Sequence, residues 1–348
     1  MSPTHLADTF AAQARACTAL GSPMYGQLLT RIVEDVGAGG VFAEVLAGHE
    51  TDPGPSALAL RLLGGLHRLV LDGSAPALRR WYPSVGGAWD TAAAWPDVVA
   101  AARAAITALR AALDRPPQTN EVGRSAALIG GLLFVAHRFP LPVRLFEIGA
   151  SAGLNLRADH YRYRYPGGVW GPADSAVVID DAWRGRRPPE APLRIVARHG
   201  FDIAPMDVAR ADDRLTLLSY GWPDMPGRGQ RLRGAIEIAR RVPARLQRVS
   251  AAEAVRGLRL ARGSLTVLWH SVTWQYLTAR EQAQVTAAVT ALGARADADA
   301  PLAWLSLEPR RRTPEAAHEF LVSARCWPDG GDEILGVSAP HGPPVRWD

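Results

Sequence analysis

The sequence predicts an α/β protein: an all-helical N-terminal region, then a doubly wound, mostly parallel sheet with a β-hairpin insertion. Three observations predict it. Residues 1–140 carry apolar positions at helical spacing and no stretch of strict alternation. From Val143 short apolar runs alternate with helical segments, the grammar of a parallel sheet covered on both faces. The first of these runs, Val143 to Ile148, leads into Gly149, Ser151 and Gly153, a strand-to-helix turn of small residues at alternate positions.

The elements follow in order. Leu6 to Leu20 reads as an amphipathic helix, and Ser22-Pro23 opens a second that runs to about Val36. Ser56 to Leu71 is a third, its apolar stripe including Leu58, Leu62, Leu63, Leu66 and Val70. Trp89 to Leu113 is alanine-rich and reads as one long helix, started or kinked near Pro96 and ended by Arg115-Pro116-Pro117. After a polar loop, Val122 to His137 forms the last helix of the region, closed by Pro140 and Pro142.

In residues 141–348 the strand candidates are Val143–Ile148, Leu193–Ala197 closing on Asp202, Leu246–Ser250, Leu265–His270 and Leu302–Leu307. Ser151–His160, a stretch containing Arg233–Arg241, and Ala279–Leu292 read as helices between them. Tyr161–Tyr165, a Pro-Gly-Gly turn and Ala176–Ile179 read as a hairpin inserted within about 161–187. Glu333–Ser338 and Pro344–Trp347 read as a terminal hairpin.

Composition narrows the classes. With 48% apolar and 21% charged residues the chain of 348 residues is an ordinary folded protein of one elaborated domain or two. The longest apolar runs fall short of the ~20 residues of a bilayer span, so no membrane segment is expected. The first ten residues lack a basic stretch followed by an apolar core, so no secretory signal is read and a cytoplasmic location is expected. Cys17 and Cys326 are too far apart to build a metal cluster by themselves, in keeping with reduced thiols. The net charge is +5 and all 39 basic residues are arginine. Clusters such as Arg310-Arg311-Arg312 and Arg184 with Arg186-Arg187 read as solvated surface charge, so nucleic acid is not an expected partner.

In an open α/β sheet, ligands bind beyond the carboxyl ends of the strands, where strand order reverses. Glu147 followed by Gly149-x-Ser151-x-Gly153 has a shorter last interval than the dinucleotide fingerprint. It resembles the first motif of class I, Rossmann-type S-adenosylmethionine-dependent methyltransferases, with serine in the middle position usually held by glycine. By that resemblance Asp202 ends the second strand and accepts hydrogen bonds from the ribose hydroxyls, with Asp180 or Asp181 as alternatives. His270, in Leu268-Trp-His-Ser-Val-Thr-Trp-Gln-Tyr276, is placed to act as general base at the fourth strand, or to be a structural histidine packed by Trp269 and Trp274. Trp274 and Tyr276 read as an aromatic wall for the sulfonium, or as packing. Glu308 ends the fifth strand. Asn120, Glu121 and Arg124, in the polar loop before the first strand, read as substrate or cofactor contacts, or as a helix cap with an ion pair.

No P-loop, His-Glu-x-x-His or Cys-x-x-Cys is present. Gly149-x-Ser151-x-Gly153 also matches the letters of a nucleophile elbow, which makes a serine hydrolase the alternative: Ser151 as nucleophile, Asp202 or Glu308 as acid, His341 as base. The glycine turn follows the first strand, which favours a cofactor instead. A non-catalytic ligand-binding protein is the third reading.

The motifs Glu147–Leu156, Gln118–Arg124, Trp269–Tyr276 and Pro340–Trp347 together resemble a bacterial family known only as a domain of unknown function, over nearly the whole chain. That resemblance implies a methyltransferase-like sheet under an N-terminal helical cap. It carries no activity with it; the likeness of the glycine turn to the methyltransferase motif implies S-adenosylmethionine as cofactor, with Glu147, Gly149, Ser151, Gly153, Asn155 and Asp202 as its expected contacts. His270 and Glu308, at the ends of the fourth and fifth strands, are the expected catalytic groups. A small or medium-sized acceptor would meet Asn120, Glu121, Arg124, Trp274, Tyr276 and His341.

Overall fold

The computed structural model describes residues 4–52 and 56–348. The N-terminal helices are α1 (Thr4–Ala19), α2 (Pro23–Gly37), α3 (Val41–Leu46), α4 (Leu58–Leu71), α5 (Thr91–Ala104), α6 (Ile106–Leu113) and α7 (Ser125–Arg138). Then come β1 (Val143–Ile148), β2 (Arg162–Tyr165), β3 (Gly168–Trp170), β4 (Val178–Ile179), β5 (Trp183–Gly185) and β6 (Ile195–Asp202). Helices α8 (Ala211–Ser219) and α9 (Pro226–Arg241), β7 (Arg245–Arg248), α10 (Ala251–Gly257), β8 (Leu265–Ser271) and α11 (Ala279–Gly293) follow. The chain ends with β9 (Leu302–Arg311), β10 (His318–Trp327), β11 (Gly331–Ala339) and β12 (Gly342–Trp347).

The chain forms two compact units, residues 1–119 with 210–230, and residues 120–209 with 231–348. The last helix of the predicted N-terminal region, α7, therefore belongs with the sheet. The first unit is helical, its core built from the stripes the spacing marked, including Leu28, Leu29 and Ile32 of α2 and Leu62, Leu66 and Val70 of α4. Ser22 caps α2: its hydroxyl accepts from the Tyr25 amide and donates to Asp224, and Pro23 takes the first turn, where no amide donor is needed. The expected long helix is two helices, bent by 82° at Ala105 rather than at Pro96. An alanine-rich run carries no local signal for that break; burial of Leu109 and Leu113 selects it. Among the described residues no single helix is long and apolar enough to cross a membrane.

In the second unit, nine strands form one sheet in the order β5-β12-β11-β10-β9-β8-β1-β6-β7 among the described residues. Strands β7, β6, β1, β8 and β9 run parallel; β9 to β12 are antiparallel, and β5 lies parallel to β12 at the edge. The sheet is covered on both faces. Phe146, Ile148, Leu268 and Leu302 meet Val255 of α10 and Val285 and Val289 of α11. On the other face α7 comes close enough that a Cβ on Gly130 would stand 1.8 Å from the Trp347 ring. Strand β8 is buried along all seven residues, as expected for a central parallel strand.

The inserted segment differs in detail from its reading. Strand β2 pairs antiparallel with β3, β4 joins β2 in parallel, and these three make a small second sheet. The segment Ser151–His160 is not an α-helix: Leu154–His160 is a 3-10 turn interrupted at Arg157, and Arg157 Nη1 donates to the Gly153 carbonyl, the group an α-helix would give to the Arg157 amide. Strand β10 has no counterpart among the sequence expectations. Its apolar run is broken by Ser323 and Arg325, which share one face of the sheet.

Candidate active site

The small-residue turn after β1 is held by its own surroundings. Gly149, Ser151 and Gly153 all have positive φ, 69°, 50° and 63°, and Ser151 alone of the three carries a side chain there. The Ala150 amide donates to the Phe201 carbonyl at 3.1 Å, and the Ser151 amide to Asp202 Oδ2 at 2.8 Å. The other Asp202 oxygen accepts from the Ala204 amide at 2.8 Å. A Cβ on Gly149 would meet Thr273 Oγ1 at 2.4 Å, so this glycine lets the turns after β1 and β8 touch across the reversal of strand order.

Four segments distant in sequence converge on the turn. Asn120 Oδ1 accepts from the Leu154 amide at 3.0 Å, and Asn155 Nδ2 donates to the Glu121 carbonyl at 3.3 Å. Glu121 Oε1 accepts from the Gly123 amide at 3.1 Å, and His341 Nδ1 lies 3.8 Å from Glu121 Oε2. Arg124 donates to the Pro340 carbonyl at 3.0 Å and approaches the Ser271 carbonyl at 3.5 Å. Asn120, Glu121, Arg124, Asn155 and His341 thus bind one loop to the next. Asp180 and Asp181 lie elsewhere, paired with Arg164 and Arg184.

Glu147 sits at the end of β1, 2% exposed, with Oε2 bonded to no group among the described residues. Burial pushes its carboxyl up to about 8, the nearby Asp202 adding to the shift while Arg157 and Arg124 oppose it. The group is mostly protonated at neutral pH and can donate as well as accept.

On the opposite sheet face, β8 and β9 bring the two expected catalytic side chains together. Glu308 lies one residue beyond the last β8–β9 pair, Ser271 with Leu307, so its carboxylate reaches under the turn that follows β8. Its Oε1 meets His270 Nδ1 at 2.7 Å and accepts from the Thr273 and Trp274 amides at 2.9 and 3.2 Å. Because Glu308 Oε1 already accepts from two amides, Nδ1 is the nitrogen that donates to it, and in the neutral imidazole Nε2 is then an acceptor. Both side chains are about 3% exposed, and neither His270 Nε2 nor Glu308 Oε2 has a hydrogen-bond partner among the described residues. The Trp274 ring stacks on the imidazole at 5.1 Å, and Trp304 adds a second face at 5.9 Å. Val272, between His270 and Trp274, has φ 51°, a costly conformation for a β-branched residue.

A cavity of about 390 Å³ opens beside this pair, within the usual range of small-molecule sites. His270, Glu308, Trp274 and Trp304 line one end. Ser306 and Ser323, joined at 2.8 Å, lie along it, and Arg310 reaches Ser323 Oγ at 3.2 Å. Tyr276 is 47% exposed and is not part of the lining among the described residues. Arg310, which the sequence reading took as surface charge, belongs to the lining. The period-two series Trp304, Ser306, Glu308, Arg310 was the available signal, hidden because the strand was expected to stop at Leu307.

No curated protein and no solved structure shows significant similarity to the chain. One family model, described as an uncharacterized protein conserved in bacteria (DUF2332), matches residues 7–347. The chain therefore belongs to the DUF2332 family of bacterial proteins.

Proposed function

We propose that this protein is an S-adenosylmethionine-dependent methyltransferase acting on a small acceptor, with His270 as general base and Glu308 as the group that orients it. One observation carries the reading. The parallel order β7-β6-β1-β8-β9 sets the glycine turn, Asp202 and the His270–Glu308 pair on neighbouring strand ends at the reversal of strand order. This is where a methyltransferase-like doubly wound sheet binds cofactor and acceptor.

The groups available fit an adenosyl cofactor. Asp202 is half-buried, and each of its oxygens keeps a second lone pair for a ribose hydroxyl after accepting one amide. Asn155 Oδ1 is a buried acceptor with no partner among the described residues, suited to the ammonium of the methionine moiety. Bound there, the cofactor would supply an electrophilic methyl group on a sulfonium.

The remaining work falls to this chain. His270 Nε2 accepts the proton of the acceptor's hydroxyl or amine, which raises its nucleophilicity. Glu308 fixes the imidazole tautomer and stabilises the imidazolium that forms. Trp274 and Trp304 shield the pair from water. The sheet contributes mainly by holding the reacting atoms in line.

Calorimetry on the full chain with S-adenosylmethionine and S-adenosylhomocysteine tests the reading. Both should bind, and Asp202→Asn should weaken them at least tenfold. Absence of binding at high micromolar concentration overturns it.

A further inference from the structure

We infer that the cavity beside His270 recognises an aromatic hydroxy acid: a planar ring with a hydroxyl at one end and a carboxylate at the other. The inference rests on the reading of this cavity as the acceptor site; the unsatisfied groups that line it differ in sign.

At the inner end there are two acceptors. His270 Nε2 is an acceptor because Nδ1 is committed to Glu308, and Glu308 Oε2 is a second; both are buried and lack a partner among the described residues. That end calls for a donor, a hydroxyl. Trp304 Nε1, at the same end, is a buried donor with no acceptor among the described residues, and a hydroxyl oxygen satisfies it. Arg310 is an exposed guanidinium whose hydrogen bond goes to the neutral Ser323 hydroxyl, with no carboxylate partner among the described residues. Arg325 differs: it donates to the Gly330 carbonyl, lies 4.0 Å from Asp332 and covers the Trp327 ring. Arg310 is thus left without an ion-pair partner among the described residues, and it matches a carboxylate.

Residues 304, 306, 308 and 310 alternate along one face of β9, so Arg310 lies one step beyond Glu308, on the side away from Trp304. Trp274 and Trp304, with ring centroids 5.8 Å apart, supply an aromatic wall beside His270. A ring beside that wall, with its hydroxyl at His270, would direct a carboxylate toward Arg310 within a cavity of about 390 Å³.

The probes are 4-hydroxybenzoate, its uncharged amide 4-hydroxybenzamide, and benzoate, titrated calorimetrically against the full chain and against Arg310→Gln, with circular dichroism to verify the fold. The wild type should bind 4-hydroxybenzoate at least tenfold more tightly than either analogue. In Arg310→Gln the preference for acid over amide should vanish, while the preference for the hydroxylated ring persists. Equal affinity for acid and amide, an unchanged preference in the variant, or no binding at millimolar probe overturns the inference. Titration of S-adenosylhomocysteine on the same samples separates the two readings. If the hydroxy acid binds in this pattern and the cofactor product does not, methyl transfer fails and the recognition stands; the converse leaves the cofactor site and removes this acceptor class.

Discussion

Replacing Glu147 by glutamine should abolish a pH dependence of stability that the buried carboxyl creates. Burial holds its folded pKa at about 8 against an ordinary 4.5, so between these values the folded chain keeps a proton that the unfolded chain releases. The stabilisation is fully present below about 4.5 and is lost as pH rises through 8. Stability should fall by about 1.4 kcal/mol per pH unit across that window, about 5 kcal/mol in all if the full shift operates. Glutamine has the shape of the protonated acid and no proton to lose. Urea unfolding of both proteins at steps between about pH 5 and 8 measures the effect. The variant should gain on the wild type by about 3 kcal/mol by about pH 7. Parallel curves, or a gain confined below pH 5, would refute a protonated Glu147 in the folded chain.

Other outcomes follow from contacts at single residues. Gly130→Ala would drive a methyl into the Trp347 ring and should lower stability by about 2–3 kcal/mol in denaturant titration; a neutral result would mean that α7 can shift away from the sheet. Val272→Gly releases left-handed strain worth about 1–3 kcal/mol against a smaller glycine entropy cost, so the melting temperature should rise; a clear fall would show that the turn after β8 is not strained. Asn120→Ala removes the acceptor for the Leu154 amide and should cost about 1 kcal/mol, with faster hydrogen exchange at Leu154 as its local signature. Glu308→Gln should weaken the hold on the His270 tautomer. Imidazole nitrogen shifts should then report a mixture where the wild type shows one form; identical spectra would remove the orienting role.

The sequence by itself determined the elements whose signals are local. Helical periodicity marked the stripes of α1, α2 and α4, and continuous apolar runs marked β1, β8 and the start of β9. The same grammar located the glycine turn after β1 and the polar residues at the strand ends, because strand ends are where a parallel sheet exposes side chains to a ligand. Tertiary structure decided what those residues do to one another. His270 and Glu308 lie 38 positions apart and meet only because β8 and β9 are neighbours in a register that leaves Glu308 one residue beyond the last pair. Asp202 caps the Ser151 amide because β6 lies beside β1, a fact no spacing encodes. Asn120, Glu121 and Arg124 stood in the sequence as a polar loop, and long-range packing made them a belt around the turn. The break between α5 and α6 and strand β10 were illegible for the same reason. Periodicity reports which face of an element is apolar, whereas the partner of that face is set by strand order and burial across the whole sheet.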